Sequence, residues 1–166
     1  GASTMSSASL SQSVYLWVPE LLLSVGAMAV MLLGVFARRA TRTVTLATWG
    51  TLAAAAVSLW QLPISSGGAG FFGLILIDQL STVFRWLALG VVALVALMIQ
   101  SSSDVDESWR GEYLGVLLVG GVGLMLMAEA NHLLMAYLAM EAVSLSSYVL
   151  VGLGRDTRLP VSGFFR

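Results

Sequence analysis

Five apolar runs, each about as long as a membrane-spanning helix, occupy most of this 166-residue chain. A spanning helix needs about 20 consecutive, mostly apolar residues, whereas shorter runs are typical of helices buried in soluble cores. The predicted spans are approximately residues 14–37, 43–62, 80–100, 113–128 and 133–153. Hydrophobic residues make up 58% of the chain and charged residues only 10%, whereas soluble domains carry about 25% charged residues. The sequence therefore predicts an all-α membrane protein with five transmembrane helices.

Polar segments surround these runs and define the predicted domain organisation. Residues 1–13 are small and polar without periodicity, which predicts an exposed N-terminal arm. Residues 63–70 (PISSGGAG) have the composition of a loop. The apolar stretch Phe71–Asp78 is too short to span, and we expect it to pack on the bundle or lie at the membrane surface. Residues 14–153 thus form one transmembrane domain, followed by a basic tail over residues 154–166.

The distribution of arginines predicts an orientation in the membrane. All eight basic residues are arginine, and the chain contains no lysine. With five spans, the loops 38–43 and 101–112 and the tail lie on one side, and they carry seven of the eight arginines. Positively charged loops face the inner side of a membrane. We therefore expect the N-terminus to face outward and the C-terminus to face the matrix or cytoplasm.

The remaining composition argues against redox chemistry within these residues. The chain contains no cysteine and a single histidine, which excludes disulfides, thiolate zinc sites, Cys-ligated iron–sulfur clusters and bis-histidine haem. A net charge of −1 provides no field that would attract nucleic acid. We therefore expect no metal, no cofactor and no nucleic acid to be bound by this chain.

Glu141 is the candidate functional residue because it lies near the middle of the fifth predicted span. Its short side chain reaches neither membrane surface, and ionisable residues at such positions are costly and usually functional. Tyr137, Ser144 and Tyr148 share its helix face by three-, four- and seven-residue spacing and could hydrogen-bond the carboxyl group. The alternative is a protonated Glu141 that only bridges two helices.

Other charged residues lie near the predicted outer boundary of the membrane. Glu129 and His132 resemble a proton-handling pair, but we expect both to be solvated because they lie in the turn between the last two spans. Glu20, Asp78 and Arg85 are interpreted as interface anchors or a surface pair.

Several motifs in the last two spans carry a family resemblance. They are GEY at Gly111–Tyr113, A-x-A-N-x-L-L at Ala128–Leu134 and L-x-x-E-x-x-S-L-S-x-Y at Leu138–Tyr148. Upstream, PELLL at Pro19–Leu23 and ILIDQLSTVF at Ile75–Phe84 extend the similarity. With these motifs the chain resembles the N-terminal part of subunit N, or subunit 2, of proton-pumping NADH:quinone oxidoreductase (respiratory complex I), an antiporter-like subunit.

The resemblance implies a fold, a role and partners. The fold is the N-terminal portion of an antiporter-like helical bundle. Glu141 matches the family's fifth-helix glutamate, which pairs with a lysine of the seventh helix during proton translocation. The chain is then a non-redox subunit without catalytic activity of its own. Flavin, iron–sulfur clusters and quinone are expected elsewhere in the complex, and the partners are other membrane-arm subunits and lipids.

The chain departs from the family in two respects. Family members are much longer, and their membrane lysines have no counterpart here, because the 166 residues contain no lysine. We therefore expect an N-terminal fragment of a split subunit, with a second chain carrying the remaining helices and the membrane lysines. Splitting eases import of a nuclear-encoded product, which favours the mitochondrial inner membrane over the alternative, a bacterial plasma membrane. Two other functions stay open: a purely structural or assembly subunit, and a subunit of a related cation/proton antiporter or membrane-bound hydrogenase.

Overall fold

The computed structural model describes residues 16–36, 41–62, 68–70, 75–102, 107 and 109–156. Five helices make up most of this part of the chain: α1 (Val18–Phe36), α2 (Thr41–Gln61), α3 (Gln79–Ser101), α4 (Arg110–Glu129) and α5 (Leu133–Asp156). Each is long and apolar enough to cross a membrane. The prediction of an all-α membrane protein with five transmembrane helices is therefore confirmed.

The helix boundaries add detail to the predicted spans. Helix α4 begins at Arg110 rather than near residue 113, which extends a span that is short in the hydropathy pattern. Helix α5 continues to Asp156 and so includes the first residues of the predicted tail. The predicted arm 1–13 and residues 157–166 lie outside the described residues.

A short hairpin precedes α3 and differs from the predicted loop. Strand β1 (Gly68–Gly70) pairs antiparallel with strand β2 (Ile75–Ile77), with Gly68 opposite Ile77 and Gly70 opposite Ile75. Branched isoleucines favour extended backbone, which explains a strand in a segment too short to span. Asp78 then caps α3, since its carboxylate accepts from the Ser81 backbone N–H at 2.7 Å and its own N–H donates to the Ser81 hydroxyl at 2.9 Å.

Helix α4 occupies the centre of the bundle and contacts each of the other four helices. It is the most buried of the five spans, whereas α5 is the least buried and packs mainly against α4. The hydrophobic core lies where α1, α2, α3 and α4 meet and includes Leu23, Leu59, Val92 and Leu118.

Glycines let α4 approach α1 closely. A Cβ atom built on Gly111 would lie 2.5 Å from the Cα of Gly34, and one built on Gly34 would lie 2.9 Å from the Cα of Gly111. Small residues at such crossings drive helix association in membranes through close backbone packing. The start of α4 is therefore packed directly against the end of α1. This contact lies at the opposite end of the bundle from Glu20.

Candidate functional site: two acidic centres

Glu141 lies near the middle of the apolar span Leu133–Leu153 of α5 and is exposed on the face that the other described residues leave uncovered. Tyr137 and Tyr148 lie on the same helix and expose 57% and 72% of their surface, and Ser144 is partly buried. Among the described residues no hydrogen bond joins these three side chains to Glu141. Their supporting role stays a prediction.

Glu141 has no basic partner within the part of the chain that the structure describes. Both salt bridges found there belong to Arg85, at the end of the bundle. Because the 166 residues contain no lysine, none of them can supply an ammonium group. A carboxylate at this depth requires a partner, water or a proton, since an isolated charge in hydrocarbon is strongly unfavourable. The geometry therefore leaves Glu141 available to a group outside this chain.

The structure also contains a second acidic centre that the sequence interpretation missed. Glu20 near the start of α1, Arg85 in the second turn of α3 and Glu129 at the end of α4 meet at one end of the bundle. Their exposed fractions are 2%, 0% and 1%. The interpretation of Glu129 as a solvated loop residue is wrong, and so is that of Glu20 and Arg85 as interface anchors or a surface pair.

Burial of these residues follows from the packing of α4 against α1 and α3. Helix α4 contacts both α1 and α3. The guanidinium of Arg85 on α3 lies between Glu20 on α1 and Glu129 on α4 and is fully buried. Asp78 and His132 do conform to expectation, because both are exposed. The sequence did contain a signal for this cluster. Glu20, Arg85 and Glu129 lie at the start of the first span, the start of the third and the end of the fourth, and in an alternating bundle these three ends lie at the same end of the bundle.

Arg85 is bound tightly to Glu20. Its Nη2 donates to the two carboxylate oxygens of Glu20 at 2.7 and 2.8 Å, and its Nε donates to Oε1 at 2.9 Å. Nη2 also donates to the carbonyl oxygen of Leu16 at 3.3 Å. Forked contacts of this kind are the strongest arrangement between arginine and a carboxylate. Glu20 is therefore the carboxylate that neutralises Arg85.

Glu129 approaches the same guanidinium in a different way. Its Oε1 lies 2.6 Å from Arg85 Nε, but that N–H is directed at Glu20, and neither oxygen of Glu129 accepts a hydrogen bond within the described residues. Arg85 Nη1 is likewise buried without a hydrogen-bond partner there. Buried polar atoms are normally paired, so each unpaired one requires an explanation. We call this group, Glu20, Arg85 and Glu129, the buried triad.

A cavity of about 580 Å³ adjoins the buried triad. It lies between α3 and α4 and is lined by apolar side chains such as Phe84 and Met127, together with Glu129 and the exposed residues Asp78 and Asn131. The cavity therefore extends from exposed residues at this end of the bundle to Glu129, whose carboxyl oxygens are themselves buried. Within the described residues no group of three or more histidine, cysteine, aspartate or glutamate side chains could hold a metal ion.

Comparison with known proteins places the chain in a family, although no protein-family model and no solved structure matches it. NADH-quinone oxidoreductase subunit N of Anaeromyxobacter sp. (strain Fw109-5) is 34% identical over 151 residues, which cover 89% of this chain and 29% of that protein. The protein of the same name from Rhizorhabdus wittichii is 35% identical over 161 residues, covering 93% of this chain and 33% of that protein. The chain belongs to the subunit N family.

A further relative supports this membership and shows its extent. Subunit N 1 of Rhizobium meliloti is 34% identical over 157 residues, covering 92% of this chain and 32% of that protein. The chain thus spans about a third of the length of the curated relatives it matches. The resemblance predicted from the motifs in α1, α4 and α5 is confirmed, and the match is consistent with the N-terminal part of subunit N.

Proposed function

We propose that this chain forms the first five helices of subunit N in the membrane arm of an NADH-quinone oxidoreductase. In this role it contributes Glu141 to proton translocation coupled to NADH oxidation and quinone reduction, and it carries out no redox step itself. The relatives' names support the oxidoreductase over an antiporter or a hydrogenase. Flavin, iron–sulfur clusters and quinone belong to other subunits in this proposal, and the absence of cysteine from the 166 residues agrees with it.

The observation that carries the proposal is the position of Glu141. Its carboxyl group lies mid-span on the uncovered face of α5, and two tyrosines are exposed on the same helix. A face of this kind would be unfavourable toward lipid because a charged group at the bilayer centre is costly. It suits the packing of further helices that bring a basic group. We propose a lysine from the remainder of subunit N, in direct or one-water contact with Glu141.

Such a pair could load and release a proton. A nearby ammonium group stabilises the ionised carboxylate, and withdrawal of that cation favours the protonated acid. Movement of the lysine would therefore change the proton affinity of Glu141. Moving one elementary charge against the membrane potential requires about 2.3 kcal/mol per 100 mV, so the movement must be coupled to an energy source. In this proposal the source is electron transfer in other subunits.

The test is the Glu141→Gln variant in the assembled oxidoreductase. Glutamine keeps the shape of the side chain but cannot ionise, so we expect normal assembly and fewer protons pumped per NADH oxidised. Glu107→Gln is the matched control, because Glu107 is an exposed residue outside the helices. Proton translocation by reconstituted vesicles is the measurement. Unchanged pumping with Glu141→Gln would contradict the proposed role and favour a purely structural or assembly subunit.

The origin of the remaining helices and the location of the complex stay predictions. The sequence-based hypothesis assigns those helices to a second polypeptide and the complex to the mitochondrial inner membrane, with a bacterial plasma membrane as the alternative. A mass-spectrometric inventory of the intact complex tests this, since a second chain bearing subunit N helices and lysines should co-purify. Protease access from one side tests the orientation, and the loop 38–43 and the turn 129–132 should be cleaved from opposite sides.

A further inference from the structure

The buried triad holds more negative than positive charge. When both carboxyl groups are ionised, Glu20 and Glu129 carry two negative charges against the single positive charge of Arg85. Glu20 takes three hydrogen bonds from the guanidinium, whereas Glu129 takes none. Buried charges persist only when they are paired and hydrogen-bonded. Glu129 is therefore the unmatched member of the triad, and its charge is best removed by a proton.

A cavity that adjoins Glu129 has room for water. A water molecule occupies only about 10–15 Å³ by probe volume and needs two to four polar partners, and the cavity of about 580 Å³ has ample room. Its polar lining comes from Asp78, Ser81, Asn131 and Glu129. Asp78 and Asn131 are exposed, whereas the carboxyl oxygens of Glu129 are buried, so the polar part of the lining runs from the surface to the residue that carries the buried carboxyl group.

We propose that Glu129 is a proton-binding site that exchanges protons with water in the cavity between α3 and α4. In the loading step an O–H bond of a hydronium ion breaks, a carboxyl O–H bond forms on Glu129, and a neutral water molecule stays in the cavity. The ion pair between Arg85 and Glu20 takes no part in the transfer. Release is the reverse step, and no electrons are transferred.

The surroundings of Glu129 favour a proton over a metal cation. The charged groups that face it are Glu20 on α1, Arg85 on α3 and Asp78 at the N-terminus of α3. Helix α2 has no ionisable residue at this end of its described part, and His132 in the turn before α5 is exposed. A metal ion here would face the guanidinium and would lack a cluster of three acidic or histidine ligands among the described residues. A proton needs only the free carboxylate oxygen.

Infrared difference spectroscopy of the purified complex tests the assignment without any measurement of pumping. We expect a carboxylic-acid C=O band that titrates with pH, shifts in deuterated water and is lost in Glu129→Gln. The band should persist in Asp78→Asn and in Glu141→Gln, so the assignment stands independently of the proposed function. If no band depends on Glu129 at any pH at which the complex is intact, or if the band responds to sodium but not to pH, the assignment is overturned.

Two further pairs of variants locate the proton and its route. Glu129→Asp should move the band while Glu20→Asp leaves it in place, and the reverse pattern would put the proton on Glu20 and overturn the assignment. Ala128→Leu fills the cavity beside Glu129, and we expect it to keep the band but abolish its shift in deuterated water. Ala53→Leu, on the exposed face of α2, is the matched control. An undiminished deuterium shift in Ala128→Leu would refute the cavity route.

Discussion

The two acidic centres of this chain differ in what surrounds them. The buried triad lies at one end of the bundle, where α1, α3 and α4 pack together and supply both the acids and the arginine. Glu141 lies in the third turn of α5, on a face that the other described residues leave uncovered, and it makes no salt bridge with any of them. One centre is assembled within this chain, whereas the proposed role of Glu141 depends on a group from outside it.

The contrast follows from the roles of α4 and α5 in the bundle. Helix α4 is central, and its glycines allow neighbouring backbones to approach closely. Helix α5 contacts mainly α4 and exposes large side chains such as Leu133, Tyr148 and Val151. A charge next to α4 is therefore enclosed by this chain alone. A charge on the outer face of α5 is not enclosed by the described residues, so removal of charge should change stability very differently at the two centres.

The largest expected effect is that of Arg85→Gln. This variant leaves the buried carboxyl groups of Glu20 and Glu129 without a cation, and loss of one partner from a buried ion pair costs about 3–5 kcal/mol. We expect poor assembly of the membrane arm and a lowered denaturation temperature of what does assemble. Arg42→Gln is the control, because Arg42 is exposed at the start of α2. Equal stability of both variants would show that the triad does not hold the helices together.

Within the triad, Glu20→Gln should destabilise more than Glu129→Gln. Glu20 accepts three hydrogen bonds from Arg85 and Glu129 accepts none. A hydrogen bond to a charged group contributes about 1.5–3 kcal/mol to stability. We therefore expect Glu20→Gln to lower the free energy of unfolding by an amount of that order. Glu129→Gln removes the unmatched charge and should change stability little. Thermal denaturation of the two assembled variants is the measurement, and the opposite ranking would contradict the unequal pairing.

A smaller effect is expected from Gly111→Ala. The added methyl group would meet the backbone of Gly34 at 2.5 Å, so α1 and α4 must separate. Overpacking of this kind typically costs about 1–3 kcal/mol. Gly90→Ala on α3 is the control, since a Cβ there meets no atom within 4 Å. If both alanine variants denature at the same temperature, the close α1–α4 contact does not stabilise the bundle.

The smallest expected change in stability is that of Glu141→Gln. Glu141 is exposed and makes no salt bridge within the described part of this chain. Substitutions away from buried contacts usually fall within about 0.5 kcal/mol, so the fold of the five helices should be unaffected. Because glutamine keeps the shape of the side chain and its carbonyl oxygen can still accept a hydrogen bond from the proposed lysine, we expect the complex to denature at a temperature only slightly below the native one, and far above that of Arg85→Gln, even though pumping falls. A loss as large as that of Arg85→Gln would mean that Glu141 is itself part of the structural core.

Hydropathy was sufficient to predict the five helices, and mid-span placement was sufficient to single out Glu141 as a candidate, whose role stays a prediction. Long apolar runs admit few alternatives to spanning helices, because every backbone polar group in lipid must be paired internally. The hairpin before α3 was not predicted, since Ile75–Ile77 is too short for a periodic signal. Mid-span placement alone singled out Glu141, and the structure adds that its helix face is open.

The buried triad was not predicted because its existence depends on helix rotation. The spans are apolar on most sides, so the sequence contains little to indicate which face of α1, α3 or α4 points inward. Glu20, Arg85 and Glu129 all lie near span ends, where snorkelling to the surface is the usual outcome. The alternation of five spans does place all three at one end. Their close contact, 2.6–2.9 Å at Arg85 Nε, comes from tertiary packing alone.

The most direct test of the account is an experimental structure of the assembled oxidoreductase around Glu141. Our central claim is that this chain completes the buried triad itself and leaves Glu141 to be completed from outside. We predict a lysine from another part of subunit N within direct or one-water contact of the Glu141 carboxyl, and an intact Glu20–Arg85 pair at the end of the bundle. A Glu141 that faces lipid, or only apolar side chains with no basic group nearby, would contradict the account.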